Sequence, residues 1–317
     1  MIKNPTALPP RTSAATRERV LSPPPEPVPR PTTQATNADA ASDDRIERGQ
    51  HSILDIPRHA PPPTAGTMLD PTTSPLPARQ LYRAKGVNVV SYGADPEALR
   101  EAGRAIGAVA ANPAIDAALN REKVALVVIP QNRRMTDLPE FASLRGQQTF
   151  DGRLWDDVRG VGGLRLPDGR LAVGIPEENL ANSSSDAYWG NYSVAIHELA
   201  HVVQDHCISD SAFDQVKRLY DARKRTGQPF TDNYAAANHF EYFAQATNAY
   251  FGRNEGQGIS DPQWLATNDP ALFRMLSEIY PQTVVPDEPE LTAVVDGAPA
   301  RSNGLLDLLR NNRTPGE

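Results

Sequence analysis

"YSVAIHELAHVVQDHC", residues Tyr192 to Cys207, is the stretch from which the rest of the chain can be read. Val194, Ala195, Ile196, Leu199, Ala200, Val202 and Val203 surround two histidines, His197 and His201, and one glutamate, Glu198. A helix apolar on all sides is a buried helix. Burying two imidazoles and a carboxylate in it is costly unless they find partners. Four residues advance an α-helix by about 400°, so both imidazoles leave one face, one turn apart. One Zn²⁺ can take a nitrogen from each. The glutamate after the first histidine then stands beside the ion, placed to hold a water. The competing reading is a core histidine pair satisfied by hydrogen bonds.

Two such ligands need a third. A glycine three residues after the second histidine and a histidine six after it would make one known pattern. Gln204 and Cys207 occupy those positions and His206 is out of register, so that pattern fails. The other choice is a glutamate on a later helix. "NYAAANHFEYFAQATNAYFG" (Asn233–Gly252) offers Glu241 in the first turn behind a capping Asn238. Glu241 could instead complete a capping box. Phe240, Phe243 and Thr247 share helical spacing and read as a packed face, with Glu241 off that stripe.

These segments carry a resemblance. His197-Glu198-x-x-His201, followed about forty residues later by Tyr234-x6-Glu241-x-Phe243-Ala244, resembles the gluzincin peptidases of the anthrax lethal-factor type. "YAAANHFEYFA" and "DPALFRMLSEIY" (Asp269–Tyr280) are similar to the bacterial peptidases of the Mlc-titration-factor type. "RGVGGLRL" and "GIPEENL" upstream are similar to related zinc-peptidase-like proteins. The likeness spans about Arg159 to Pro281. It implies an α+β, zincin-like metallopeptidase domain with a small mixed sheet and active-site helices. It implies Zn²⁺ as cofactor, His197, His201 and Glu241 as ligands, Glu198 as general base and Tyr234 as transition-state donor. Two positions depart from the pattern. Gln204 stands where an aspartate is usual, with Asp205 one place later, and Gln245 stands where the lethal-factor type has an acid one turn after the third ligand. Asp205 and Gln245 are thus the candidates for supporting the ligands, Gln245 by offering its carbonyl to a ligand histidine.

The implied activity is endopeptidase hydrolysis of a protein or peptide substrate. Two other readings compete. One is a catalytically inactive zincin-like module that binds a protein partner. The other is an exported effector or toxin peptidase acting on a foreign protein. Oligomeric state is left open.

The remaining chain sets the frame. Of its 317 residues, 39% are hydrophobic, but sixteen of the thirty prolines precede Ala78. Residues 1–80, with runs such as "LSPPPEPVPRPTTQATNADAASDD", are expected to be disordered, because they cannot bury enough apolar surface to offset ordering entropy. His51 and His59 fall there. The expected domain is 81–290, with 291–317 a C-terminal tail. A net charge of −7 argues against a nucleic-acid partner, and the basic run Arg223-Lys224-Arg225 suits a helix end. A polar, proline-rich start predicts no Sec signal peptide, and no apolar run is long enough to span a membrane. The expected location is cytoplasmic, or outside the cell by a non-Sec route. The single Cys207 reads as a small buried hydrophobe.

Local patterns predict a strand at Val87–Ala94, a helix at Pro96–Ala111 followed by a second short one, and a buried strand at Val124–Pro130. A hairpin is expected at Gly163–Gly174 around Pro167-Asp168-Gly169. Helices are expected at about 193–207, 211–226, 239–251 and 270–280. His239, on a different helix face from Glu241, is expected to be exposed or capping. Glu177 and Glu178 are expected in a solvated loop.

Overall fold

The structure, a computed structural model, describes residues 74–148, 152–186, 188, 191–254, 261–295 and 298–299. The disorder expected of residues 1–80 therefore falls almost wholly outside the described residues.

The fold is α+β. Strands β1 (Gln80–Ala84), β2 (Val87–Ser91), β3 (Val124–Ile129), β4 (Val161–Arg165), β5 (Leu171–Pro176), β6 (Leu291–Val295) and β7 (Ala298–Pro299) lie in the order β4-β5-β3-β2-β1-β6-β7. β2, β3 and β5 run parallel, and the outer pairs are antiparallel. β3, "VALVVI", is buried throughout because both of its faces are covered. Val124, Leu126 and Val128 join the helical core, while Ala125, Val127 and Ile129 pack under the 131–158 connection with Met135, Leu138 and Phe141.

Helices α1 (Pro96–Val109), α2 (Pro113–Arg121), α3 (Glu177–Leu180), α4 (Val194–Val202), α5 (Asp210–Thr226), α6 (His239–Tyr250), α7 (Pro262–Asn268) and α8 (Pro270–Ile279) follow their local signals. Asp95, Asn112, Ser193, Ser209, Asn238, Asp261 and Asp269 each cap the helix they precede. Such caps satisfy N–H groups that the helix itself leaves bare. Proline follows four of them at the first helical position, where its missing N–H costs nothing. Gly227, at φ +66°, ends α5 in the left-handed conformation.

Three features differ from the sequence reading. The segment expected as a C-terminal tail begins with β6, which pairs along β1 and buries Leu291. The helix expected at 193–207 is α-helical only to Val202. Val203–Cys207 then widens into a π-type turn closed by Ile208 N donating to Val203 O at 3.1 Å. Glu177 is not in a free loop: its carboxylate accepts from Asp95 N at 2.6 Å and Gln131 N at 2.8 Å, and so ties together the segments that leave β2 and β3. Glu178 pairs with Arg159. Among the described residues, no helix is long and apolar enough to cross a membrane.

Candidate metal and active site

Helix α4 is buried from end to end and packs against α6 and β4. Its start is pinned at several points. Ser193 Oγ accepts from Ile196 N at 3.2 Å, and Asn179 Oδ1 accepts from Val194 N at 2.9 Å. Asn179 in turn donates to Asp186 and to the Tyr192 carbonyl. These bonds occupy N–H groups that a helix start exposes, and they hold α4 in one rotation about its axis.

That rotation points His197 and His201 at α6. Their Nε2 atoms lie 3.1 Å apart. On α6, the Asn238 side chain accepts from both Phe240 N and Glu241 N at 2.9 Å. Glu241 therefore sits in the first turn, but its carboxylate does not fold back on the cap. Oε2 lies 3.1 Å from His197 Nε2 and 3.6 Å from His201 Nε2. The three ligand atoms lie within 4.8 Å of one another, and all three residues are buried. Burial holds the His201 imidazole below its ordinary pKa against the pull of Glu241, which keeps its nitrogen available as a lone pair. Three lone-pair donors converging on one buried point fit a metal ion.

Glu198, on the same helix, lays its carboxylate against β4. It is fully buried, and neither carboxylate oxygen has a hydrogen-bond partner among the described residues. Burial, and then the neighbouring charge of Glu241, raise its pKa well above the ordinary value. β4 carries a bulge: Val161 pairs with Gly174 and Leu164 with Ala172, so Gly162 and Gly163 oppose a single residue. Gly163 takes φ +69°, which suits glycine. The bulge lays Gly162 directly on Glu198, where a β-carbon would overlap Oε2.

Of the other expected residues, Tyr234 joins the site. It is buried, and its ring stacks on the His197 imidazole with centroids 5.9 Å apart. Gln245 also joins it, with Oε1 2.9 Å from His197 Nδ1. Asp205 lies half-buried in the wide turn after α4. Gln204, in the same turn, is buried and donates from Nε2 to the ring and carbonyl of His239. His239 is consequently half-buried, edge-on to Phe213, and neither exposed nor capping. The wider turn is what carries Gln204 round to the start of α6.

Three participants escaped the sequence reading. Tyr192 donates its hydroxyl to Gln245 Oε1 at 2.8 Å and lies 3.0 Å from His197 Nδ1. Asp232 Oδ2 accepts from Gln245 Nε2 at 2.9 Å. Gly162 is the third. The only local hint was proximity: Tyr192 precedes the helix cap, and Asp232 lies two residues before Tyr234.

The family model described as anthrax toxin lethal factor, N- and C-terminal domain, matches residues 113–277, slightly more than half the chain. The match includes every residue of the site. No curated protein matches this chain. A similar solved structure is that of the Pro-Pro endopeptidase from Paenibacillus alvei, at 21% identity and a TM-score of 0.42, covering 61% of this chain and 97% of that one. On the extent of the family match, the chain belongs to the anthrax toxin lethal factor family, the metallopeptidase type that its helix motif resembles.

Proposed function

We propose that the chain is a zinc-dependent endopeptidase in which Glu198 is the general base. The observation that carries this reading is the convergence of His197 Nε2, His201 Nε2 and Glu241 Oε2 beside a buried carboxylate with no hydrogen-bond partner among the described residues. Ligands about 2.0–2.2 Å from a tetrahedral zinc lie roughly 3.3 Å apart. The separations of 3.1, 3.1 and 3.6 Å bracket that value, which supports zinc as the ion.

His197, His201 and Glu241 would hold the zinc, which would supply a Lewis acid and lower the pKa of water toward neutrality. The protein supplies the rest. Glu198 takes a proton from the attacking water and returns it to the leaving amine. Tyr234, stacked on His197, offers its hydroxyl to the oxygen on which charge develops. β4 lies at the edge of the sheet, and no described strand pairs with its outer side. An extended peptide can add there as a further strand. Gly162 would then bring the peptide backbone past Glu198 without side-chain obstruction.

The test is metal analysis of the purified protein beside a peptide-library digest, with chelator-treated protein and Glu198→Gln as controls. The expected result is one zinc per chain and cleavage that chelator and Glu198→Gln both abolish. A chain that takes up no zinc, or that cleaves equally well after chelation, would overturn the reading.

A further inference from the structure

Asp232 reaches His197 through one intervening side chain. Its Oδ1 accepts from Ala235 N at 2.8 Å. Its Oδ2 accepts from Gln245 Nε2 at 2.9 Å and from Asn254 Nδ2 at 3.1 Å. An ionised carboxylate only accepts, whereas a glutamine amide has one donor end and one acceptor end. With Nε2 committed to Asp232, Oε1 is the end that faces inward, where it takes the Tyr192 hydroxyl at 2.8 Å. The Tyr192 hydroxyl, its proton given to Oε1, lies 3.0 Å from His197 Nδ1 as a second acceptor, and Oε1 itself lies 2.9 Å from that nitrogen. A carbonyl oxygen cannot donate, so that contact is a hydrogen bond only when the proton of His197 sits on Nδ1. A neutral imidazole carries one N–H. Nε2, which faces His201 and Glu241, is then left with its lone pair.

We infer that Asp232 is a positioning residue: by deciding which end of Gln245 faces inward, it sets the tautomer of His197 and makes Nε2 the metal-binding nitrogen without touching the imidazole. The last step rests on the zinc reading above; the tautomer itself does not. The consequence is specific. Asp232→Asn can set an amide donor against two donors, Gln245 Nε2 and Asn254 Nδ2. Turning Gln245 over relieves the conflict, but it presents an N–H to His197 Nδ1 and drives the imidazole proton to Nε2, the wrong nitrogen. Adding Gln245→Glu repairs this. The new carboxylate accepts at both ends, from the asparagine amide and from His197 Nδ1–H, and the charge has moved one residue inward.

Two measurements on the full chain test the inference. The first is the imidazole ¹⁵N spectrum of the metal-free protein at alkaline pH, with the His197 signals identified by their loss in His197→Gln. The second is zinc affinity by chelator competition. The unsubstituted chain should show Nδ1–H. Asp232→Asn should shift His197 toward Nε2–H and weaken zinc binding by about 10- to 100-fold, the usual loss when a partner behind a ligand is removed. The double variant should restore Nδ1–H and bring affinity back to within about threefold of the unsubstituted chain, a rescue that no general structural role of Asp232 produces. Nε2–H in the unsubstituted chain overturns the inference. So does Asp232→Asn with Nδ1–H and unchanged affinity, or a folded double variant that binds no more tightly than the single one. Should Asp232→Asn fail to fold, the tautomer of the unsubstituted chain and the affinity of the double variant decide. A chain that binds no zinc defeats the functional reading, while the tautomer measurement still judges Asp232.

Discussion

Gly162 and Glu198 touch: the place a β-carbon would occupy on Gly162 is already taken by Oε2 of Glu198. Their elements are β4 and α4, so one edge strand and one helix share a boundary at which only glycine fits. Glu198 O and His201 Cβ, each 3.3 Å from the same point, close the space on the helix side. Gly162→Ala must therefore move the Glu198 carboxylate. Among the metal ligands His201 meets the new β-carbon, at Cβ rather than at its imidazole, so the liganding nitrogens should stay in place. The expected outcome is full zinc content with kcat lower by at least about tenfold, since displacing a proton-transfer group forfeits part of the 10²- to 10⁴-fold it provides. Zinc content and kcat measured on the same sample check this, and wild-type kcat would show that Glu198 acts from elsewhere.

Glu198→Gln separates catalysis from stability. The zinc-loaded variant should lose about 10²- to 10⁴-fold in kcat. In the metal-free protein the effect on stability runs in the opposite direction. Burial first, and Glu241 second, raise the folded-state pKa of Glu198. Below the ordinary range, near about 4.3, the folded and unfolded chains both hold the proton and the shift costs nothing. As pH rises through that range the unfolded chain ionises and the folded one does not. Stability is then lost, at about 1.4 kcal/mol per pH unit, until the folded pKa is reached. The glutamine variant escapes this loss. It should melt above the unsubstituted protein at neutral pH, and the two should converge near pH 3–4. Thermal melts of chelated protein across that window provide the check; coincident melts at pH 7 would contradict the prediction.

Tyr234→Phe keeps the ring that stacks on His197 and removes only the hydroxyl. Fold, zinc content and KM should persist, with kcat reduced by roughly 10²-fold, as for loss of one donor to a developing oxyanion. A silent substitution would leave Tyr234 a packing residue.

Ending the chain after Glu290 removes β6 from the edge of β1. Burial of Leu291 alone is worth about 1.5–3 kcal/mol, so Tm should fall by at least roughly 3 °C. Because β6 lies at the opposite end of the sheet from β4, kcat of the folded fraction should not change. An unaltered Tm would return the segment to the status of a dispensable tail.

What could be read from the sequence was whatever depends on neighbours a few residues apart. The four-residue spacing of His197 and His201 places both on one helix face whatever surrounds them, and Asn238 starts α6 so that Glu241 falls in its first turn. Pro167-Asp168-Gly169 turns the hairpin for the same local reason: Gly169 takes φ +83°, open to a residue without a β-carbon. Gln245 was placed by the family resemblance, which marks the position one turn beyond Glu241. The tertiary structure decided everything that required two distant segments to meet. β6 joins β1 across some two hundred residues, a pairing that no periodicity announces. The bulge that fits Gly162 to Glu198 exists only once β4 is paired and α4 is laid beside it. Asp232 meets Gln245 thirteen residues away, and Tyr192 meets it at fifty-three. A hydrogen bond of this kind leaves no spacing rule in the chain, because its donor and acceptor are brought together by how α4 and α6 pack. Local geometry therefore set which side chains could bind a metal, and packing set which partners stand behind them.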